Sequence, residues 1–203
     1  MTATTTTRSR AKSWFWGGEE PEWIVVALVV VALLGGALLM ASVRGRVTAL
    51  DVEGMTLSYP AEWSAVGGGT AGSEGGLVRV GALGSRVCLS LSVLRELDPA
   101  NPVSMDALVA QRGFSRAQRD TLYRTLGTAP VDVGGRRAVA VSYAYAVDPY
   151  ATAYQATLPI VMEGTDYILT HAGKAYVLSL EAPAERHADY AATFRRIVAS
   201  VRY

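Results

Sequence analysis

One cysteine, Cys88, stands among the 203 residues, so no intramolecular disulfide can form and no thiolate cluster can hold a metal. Histidine is almost as scarce. His171 and His187 form no His-x-x-x-His or His-Glu pair, and two imidazoles alone do not complete a tetrahedral metal site. No Gly-Lys-Ser/Thr ending follows the glycine-rich stretch at 67–76, and no helix is expected directly after it, which argues against a phosphate-binding loop. Gly-x-Ser-x-Gly is also missing. Glu96 and Asp98 read as a solvated strand end and not as a general acid and base. No metal and no cofactor is expected.

Charge of one sign is lacking too. After Arg46 the chain has 14 Lys and Arg against 15 Asp and Glu. A nucleic-acid partner calls for a concentrated positive surface, so that class is excluded. Cys88 falls in Val87-Cys88-Leu89-Ser90-Leu91-Ser92-Val93, where alternation puts it on the face of the serines, as a small structural thiol.

What the sequence does have is one long greasy run. Residues 23–43 contain no charge, and 12 of the 21 are Leu, Ile or Val. At 1.5 Å per residue they span about 31 Å, the thickness of a hydrocarbon core. Those 12 side chains favour insertion by about 5 kcal/mol. A buried helix of a soluble protein would show a polar stripe, which is missing here. Trp14, Trp16 and Trp23 mark one membrane interface, and Arg44 and Arg46 form a charged stop at the other. The run is too long for a signal-peptide core and lacks a small-x-small site after it, so it reads as an uncleaved signal anchor. Arg8, Arg10, Lys12 and the N-terminal amine outnumber Arg44 and Arg46. The positive-inside rule therefore sets the N-terminus in the cytoplasm and the rest of the chain outside it. Residues 1–22, which open with a threonine-rich stretch, have no hydrophobic period and are expected to be a disordered tail.

Residues 47–203 remain for one water-soluble domain, a size typical of a single folded unit of about 100 to 200 residues. Strands are expected at 48–52 and 55–59 around Gly54, then at 77–82 and 86–94. The Asp98-Pro99-Ala100-Asn101-Pro102 break precedes two short helices. Ser104 caps the first; Ser115, with Gln118 three residues on, caps the second, which Gly127 closes. A hairpin around Gly134-Gly135 joins 131–133 to 137–147. Its second strand sets Val139, Val141, Tyr143, Tyr145 and Val147 against a face of Ala and Ser, a pattern expected of a central strand covered on both sides. Strands at 158–170 and 174–181 pair through His171-Ala172-Gly173-Lys174. Pro183 opens a last helix whose Tyr190, Ala191, Phe194, Ile197, Val198 and Val201 recur at helical spacing. The expectation is an α+β domain: an antiparallel sheet of about six or seven strands with helices packed on it, preceded by one transmembrane helix.

Leu57-Ser58-Tyr59-Pro60-Ala61-Glu62-Trp63 resembles the strand-Pro-x-x-Trp opening of the PsbP/Mog1-like family. Gly173-Lys174-Ala175-Tyr176-Val177-Leu178-Ser179-Leu180, leading into Phe194 through Val201, resembles its closing strand and helix. The resemblance covers about residues 50–203 and is to the membrane-anchored bacterial type. It implies the fold first. It also implies an accessory or assembly role beside larger machinery, not an enzyme. No metal or partner-contact residue of the photosynthetic members matches a position here, so an oxygen-evolution role is not carried over.

The functional expectation is an anchored accessory or scaffolding domain that binds a protein partner at the membrane surface. Tyr150 and Tyr154, in a polar loop, are the candidate partner contacts, because tyrosine offers large area and a hydrogen-bonding tip. Two other classes stay open: a small-ligand sensor, and a hydrolase that would need His171 or His187 beside a nucleophile and a carboxylate.

Overall fold

A computed structural model describes residues 22–44, 46–65, 76–147 and 158–203. The chain divides between Val43 and Arg44 into two units, taken one at a time. The first contains helix α1 (Glu22–Arg44) but for its last residue. Its stretch Trp23–Met40 has a mean hydropathy of 2.8, and no part of it is buried in protein. Trp23 is exposed, Arg44 is the last helical residue, and Trp14 and Trp16 lie outside the described residues. So does the expected tail, apart from Glu22.

The second unit is α+β. Strands β1 (Val47–Val52) and β2 (Met55–Pro60) make a small hairpin sheet. The main sheet has seven strands, all antiparallel: β3 (Trp63–Ala65), β4 (Gly76–Ala82), β5 (Cys88–Glu96), β6 (Thr121–Val133), β7 (Arg136–Val147), β8 (Ile160–His171) and β9 (Lys174–Pro183). Their order is β3-β4-β5-β9-β8-β7-β6, so β9, not β7, is the middle strand. Eight consecutive residues of β9, Ala175 to Ala182, are buried, as a strand covered on both faces requires. β7 lies second from the edge. Its Val141 and Tyr143 are buried on one face and Ala138 on the other.

Among the described residues of this unit there are also two helices, α2 (Met105–Arg119) and α3 (Ala184–Ala199). Ser104 caps α2, its hydroxyl accepting from the Ala107 amide at 3.2 Å. The second short helix expected from Ser115 and Gln118 is corrected here. Both residues lie inside α2, which ends at Asp120, and residues 121–133 continue as the edge strand β6. A capping box is a local signal; the packing of one longer helix over the sheet overrides it. The free edge of β6 is blunted by two register shifts and by Pro130, which has no N–H to offer a further strand. Pro183 ends β9 and caps α3 with no side-chain hydrogen bond, so the first helical residue is Ala184.

The main core lies on the face covered by α3 and the β1–β2 hairpin. Met55, Leu57, Trp63, Leu89, Leu91, Tyr176, Leu178, Leu180, Phe194 and Ile197 are its largest members. The Trp63 and Phe194 rings meet edge to face at 6.5 Å, so the Pro-x-x-Trp opening and the closing helix pack on each other. A smaller cluster under α2 joins Leu108 to Val141, Ile168, Ala175 and Val177. The glycine-rich stretch up to residue 75 and the loop bearing Tyr150 and Tyr154 lie outside the described residues.

Candidate functional site

Leu108, Arg112 and Arg116 follow one another at four-residue spacing on α2, so all three face the sheet. Leu108 finds apolar neighbours; the two arginines find acids. Alternation along the strands turns Tyr143 of β7, Asp166 of β8, and Ser179 and Glu181 of β9 toward α2. Arg112 Nε donates to Asp166 Oδ2 at 2.5 Å, and its Nη2 to Ser179 Oγ at 3.2 Å. Arg116 Nη2 lies 3.1 Å from Asp166 Oδ1 and 2.7 Å from Glu181 Oε1, while Nη1 donates to Asp120 Oδ2 at 2.9 Å. Arg116 also donates to the Tyr143 hydroxyl, which is 2.9 Å from both Asp166 Oδ1 and Glu181 Oε1. Toward the far side of Glu181, its Oε2 accepts from the Tyr145 hydroxyl at 3.2 Å and the Cys88 thiol at 3.5 Å.

Arg112 and Arg116 thus face Asp166 and Glu181 in a largely buried layer, and Asp120, which Arg116 shares with Arg119, lies at its rim. Asp166 and Arg116 are 1% and 4% exposed, a burial that ions tolerate only when paired and hydrogen-bonded. Burial by itself would raise the Asp166 carboxyl, but Arg116 and then Arg112 outweigh it and hold it below the ordinary carboxylate range. Burial likewise opposes the charge on Arg116, and Asp166, Tyr143 and Glu181 more than restore it. The Tyr143 phenol is pushed far up, first by burial and then by the two acids. Room for that phenol comes from Gly164 on the neighbouring strand. A Cβ there would stand 2.7 Å from the Tyr143 ring, closer than two atoms can pack.

Beside this network a cleft of about 200 Å³ opens, lined by Arg79, Arg86, Cys88, Tyr145, Met162 and Glu181 among others. Its chemistry is muted. Glu181 already accepts from four side chains. The Cys88 thiol is raised to about 11 by burial and by Glu181, so it is protonated near neutral pH and is a poor nucleophile.

The histidines are apart from both features. His171 Nδ1 is 3.3 Å from Arg136 Nη1, and the ring lies against Tyr203. His187 Nδ1 is 3.5 Å from Glu163 Oε2. Neither hydrogen-bonds a serine, threonine or cysteine among the described residues, so the geometry a hydrolase requires is not assembled there. Among the described residues no group of three or more His, Cys, Asp or Glu converges as metal ligands. Arg46 is exposed, and its carbonyl accepts from the Ala61 amide at 3.0 Å. Tyr143, expected as core, is fully buried, and Tyr145 is half-buried.

The buried network was missed from the sequence, though a signal existed. Arg112 and Arg116 continue the stripe begun by Leu108, and Glu181 sits in register with Ser179 in a strand of otherwise apolar residues.

No protein-family model matches the chain, and no curated protein matches it. Solved structures do resemble it, three of them as follows. The solution structure of cyanobacterial PsbP (CyanoP) from Synechocystis sp. PCC 6803 superposes with a TM-score of 0.59 at 16% identity, covering 77% of this chain and 91% of that one. LpqN of Mycobacterium tuberculosis, a protein involved in cell envelope biogenesis, gives a TM-score of 0.47 at 13% identity, covering 77% and 90%. PA94 of Pseudomonas aeruginosa gives 0.45 at 9% identity, covering 77% and 96%. At such identities the likeness speaks to fold alone, and the superposition on CyanoP carries it. With its Trp63 opening packed against its closing helix across an antiparallel sheet, the second unit has the PsbP/Mog1-like fold.

Proposed function

We propose that this is a single-pass membrane protein whose PsbP/Mog1-like domain is a non-catalytic accessory or scaffolding module that binds a protein partner at the membrane surface. The observation that carries the reading is α1. Eighteen apolar residues at a mean hydropathy of 2.8, none buried, leave a surface that lipid solvates and water does not. The cationic residues before α1 favour a cytoplasmic N-terminus and an extracytoplasmic domain. The titratable groups gathered under α2 are mostly paired with one another, the buried Arg116 Nε excepted, which fits a rigid binding module better than a catalyst. Tethering raises effective concentration, so modest affinity suffices for a partner in the same membrane.

Tyr150 and Tyr154 remain the proposed contacts. Solubilisation of the full-length protein in mild detergent, followed by identification of co-purifying chains, tests the role. A defined partner is expected, with recovery reduced by Tyr150→Ala with Tyr154→Ala; a solitary monomer at every detergent strength contradicts it. The small-ligand reading has the cleft beside Glu181 in its favour, and saturable stabilisation of the protein by a small molecule, lost in Arg79→Ala, would select it instead.

A further inference from the structure

The exposed apolar side chains of the soluble unit are not scattered evenly. Among the described residues, seven large ones stand in water: Val47, Leu83, Phe114, Leu122, Leu126, Leu158 and Val161. Strand register places five of them at one end of the main sheet. Ala82 pairs with Trp63, so Leu83, in the next turn, lies beside the β2–β3 connection, as does Val47, which pairs with Pro60. At the same end Ala146 pairs with both Val161 and Thr121, next to Leu122, and Leu158 stands just ahead of β8. At the opposite end are the turns at 53–54, 97–101, 134–135 and 172–173. No exposed large apolar residue occurs there among the described residues.

The crowded end is also where the chain arrives from α1. Only Gly45 separates the last helical residue, Arg44, from Arg46, and two peptide steps reach no more than about 8 Å. The Arg46 carbonyl is bonded to the Ala61 amide, two residues before Trp63. On the anchor reading, the covalent link alone keeps Arg46 within about 8 Å of the last residue of the spanning helix. Arg46 and Arg86 are exposed here without a carboxylate partner among the described residues. Glu62 and Glu185 are exposed at the same end, so net charge alone would not draw it to a surface. The apolar tips do so: Leu83, 89% exposed at the top of a turn, sacrifices no core contact by entering lipid.

We infer that the anchor-side end of the soluble unit is a lipid-contacting surface. Leu83, with Val47, Leu158 and Val161, enters the interfacial layer, and Arg46 and Arg86 meet lipid phosphates. The contact fixes which side of the domain a partner in the aqueous phase can approach. It rests on the anchor reading, and the test separates the two. Full-length protein is placed in nanodiscs of phosphatidylcholine and phosphatidylglycerol, with a nitroxide at Leu83→Cys, at Ala172→Cys at the far end, or at Leu33→Cys in α1. Cys88 is buried, and the native chain treated identically gives the background. Collision with oxygen, which favours lipid, is compared with collision with a water-soluble nickel chelate. The expected result is a ratio at Leu83 several-fold above that at Ala172 and below that at Leu33. A Leu83 ratio equal to that of Ala172, with Leu33 still lipid-like, overturns the contact and leaves the anchor intact. A water-like Leu33 overturns the anchor and the contact together. Leu83→Cys and Ala172→Cys both replace exposed turn residues, so unfolding is not expected, and an unchanged circular dichroism spectrum checks this.

Discussion

The two faces of the seven-stranded sheet are held to their covering helices by different chemistry. Under α3 the contact is mainly apolar, with Leu178 and Leu180 of β9 among Phe194, Ile197 and their neighbours, and polar contacts such as His187 with Glu163 and Ser200 with Ser58 lie toward the helix ends. Under α2 the same strand presents Ser179 and Glu181, and the contact passes from a small apolar cluster into ions. Apolar packing tolerates small adjustments, because it depends on area and volume. An ionic layer specifies one arrangement, because each partner withdrawn leaves an uncompensated charge. The difference assigns bulk stability to one face and the exact placing of α2 to the other.

The largest effect should come from breaking the ionic face. Asp166→Ala leaves Arg112 and Arg116 buried without their shared acid and should cost about 3–5 kcal/mol by denaturant unfolding. Asp166 also sets a pH dependence. Its carboxyl is held below the unfolded value of 3.8, so the stability it contributes is complete above that pH and is lost as pH falls toward the folded value. Acid titration of the native protein should show this loss beginning below about pH 4, and Asp166→Asn should flatten it. On the apolar face, Leu180→Ala should cost about 2–5 kcal/mol, with no change in the acid limb. A loss of the acid limb in Leu180→Ala would erase the contrast between the faces.

Gly164→Ala should have a smaller effect of about 1–3 kcal/mol, because the Tyr143 ring must move to admit a methyl group. It should also shift the near-ultraviolet tyrosine signal. The smallest effect belongs to the partly exposed pair of Glu53 and Lys174, 2.8 Å apart: Glu53→Gln removes the charge but keeps an oxygen that can accept from the Tyr176 hydroxyl, so it should leave the melting temperature within error. A drop comparable with that of Asp166→Ala would mean that charge matters everywhere and not only under α2.

Most of this fold was legible in the residues, for reasons that differ by element. α1 announces itself by composition, and β5, β7 and α3 by the period of their apolar residues. β6 did not. Almost every residue from Thr121 to Pro130 is exposed, and an edge strand without a buried face has no alternation to detect. The Ser115 and Gln118 pattern then supplied a false helix start. The network was hidden for another reason. Arg112, Arg116, Asp166 and Glu181 each look like ordinary surface charges until the chain brings together positions 54 and 65 residues apart, and one sequence does not display such pairs.

The anchor is the claim on which the functional reading depends, and extraction of cell membranes with alkaline carbonate tests it most directly. The full-length chain should stay in the membrane pellet and enter solution only with detergent, whereas a variant lacking residues 23–43 should appear in the soluble fraction. Release of the intact full-length chain by carbonate alone would contradict the account.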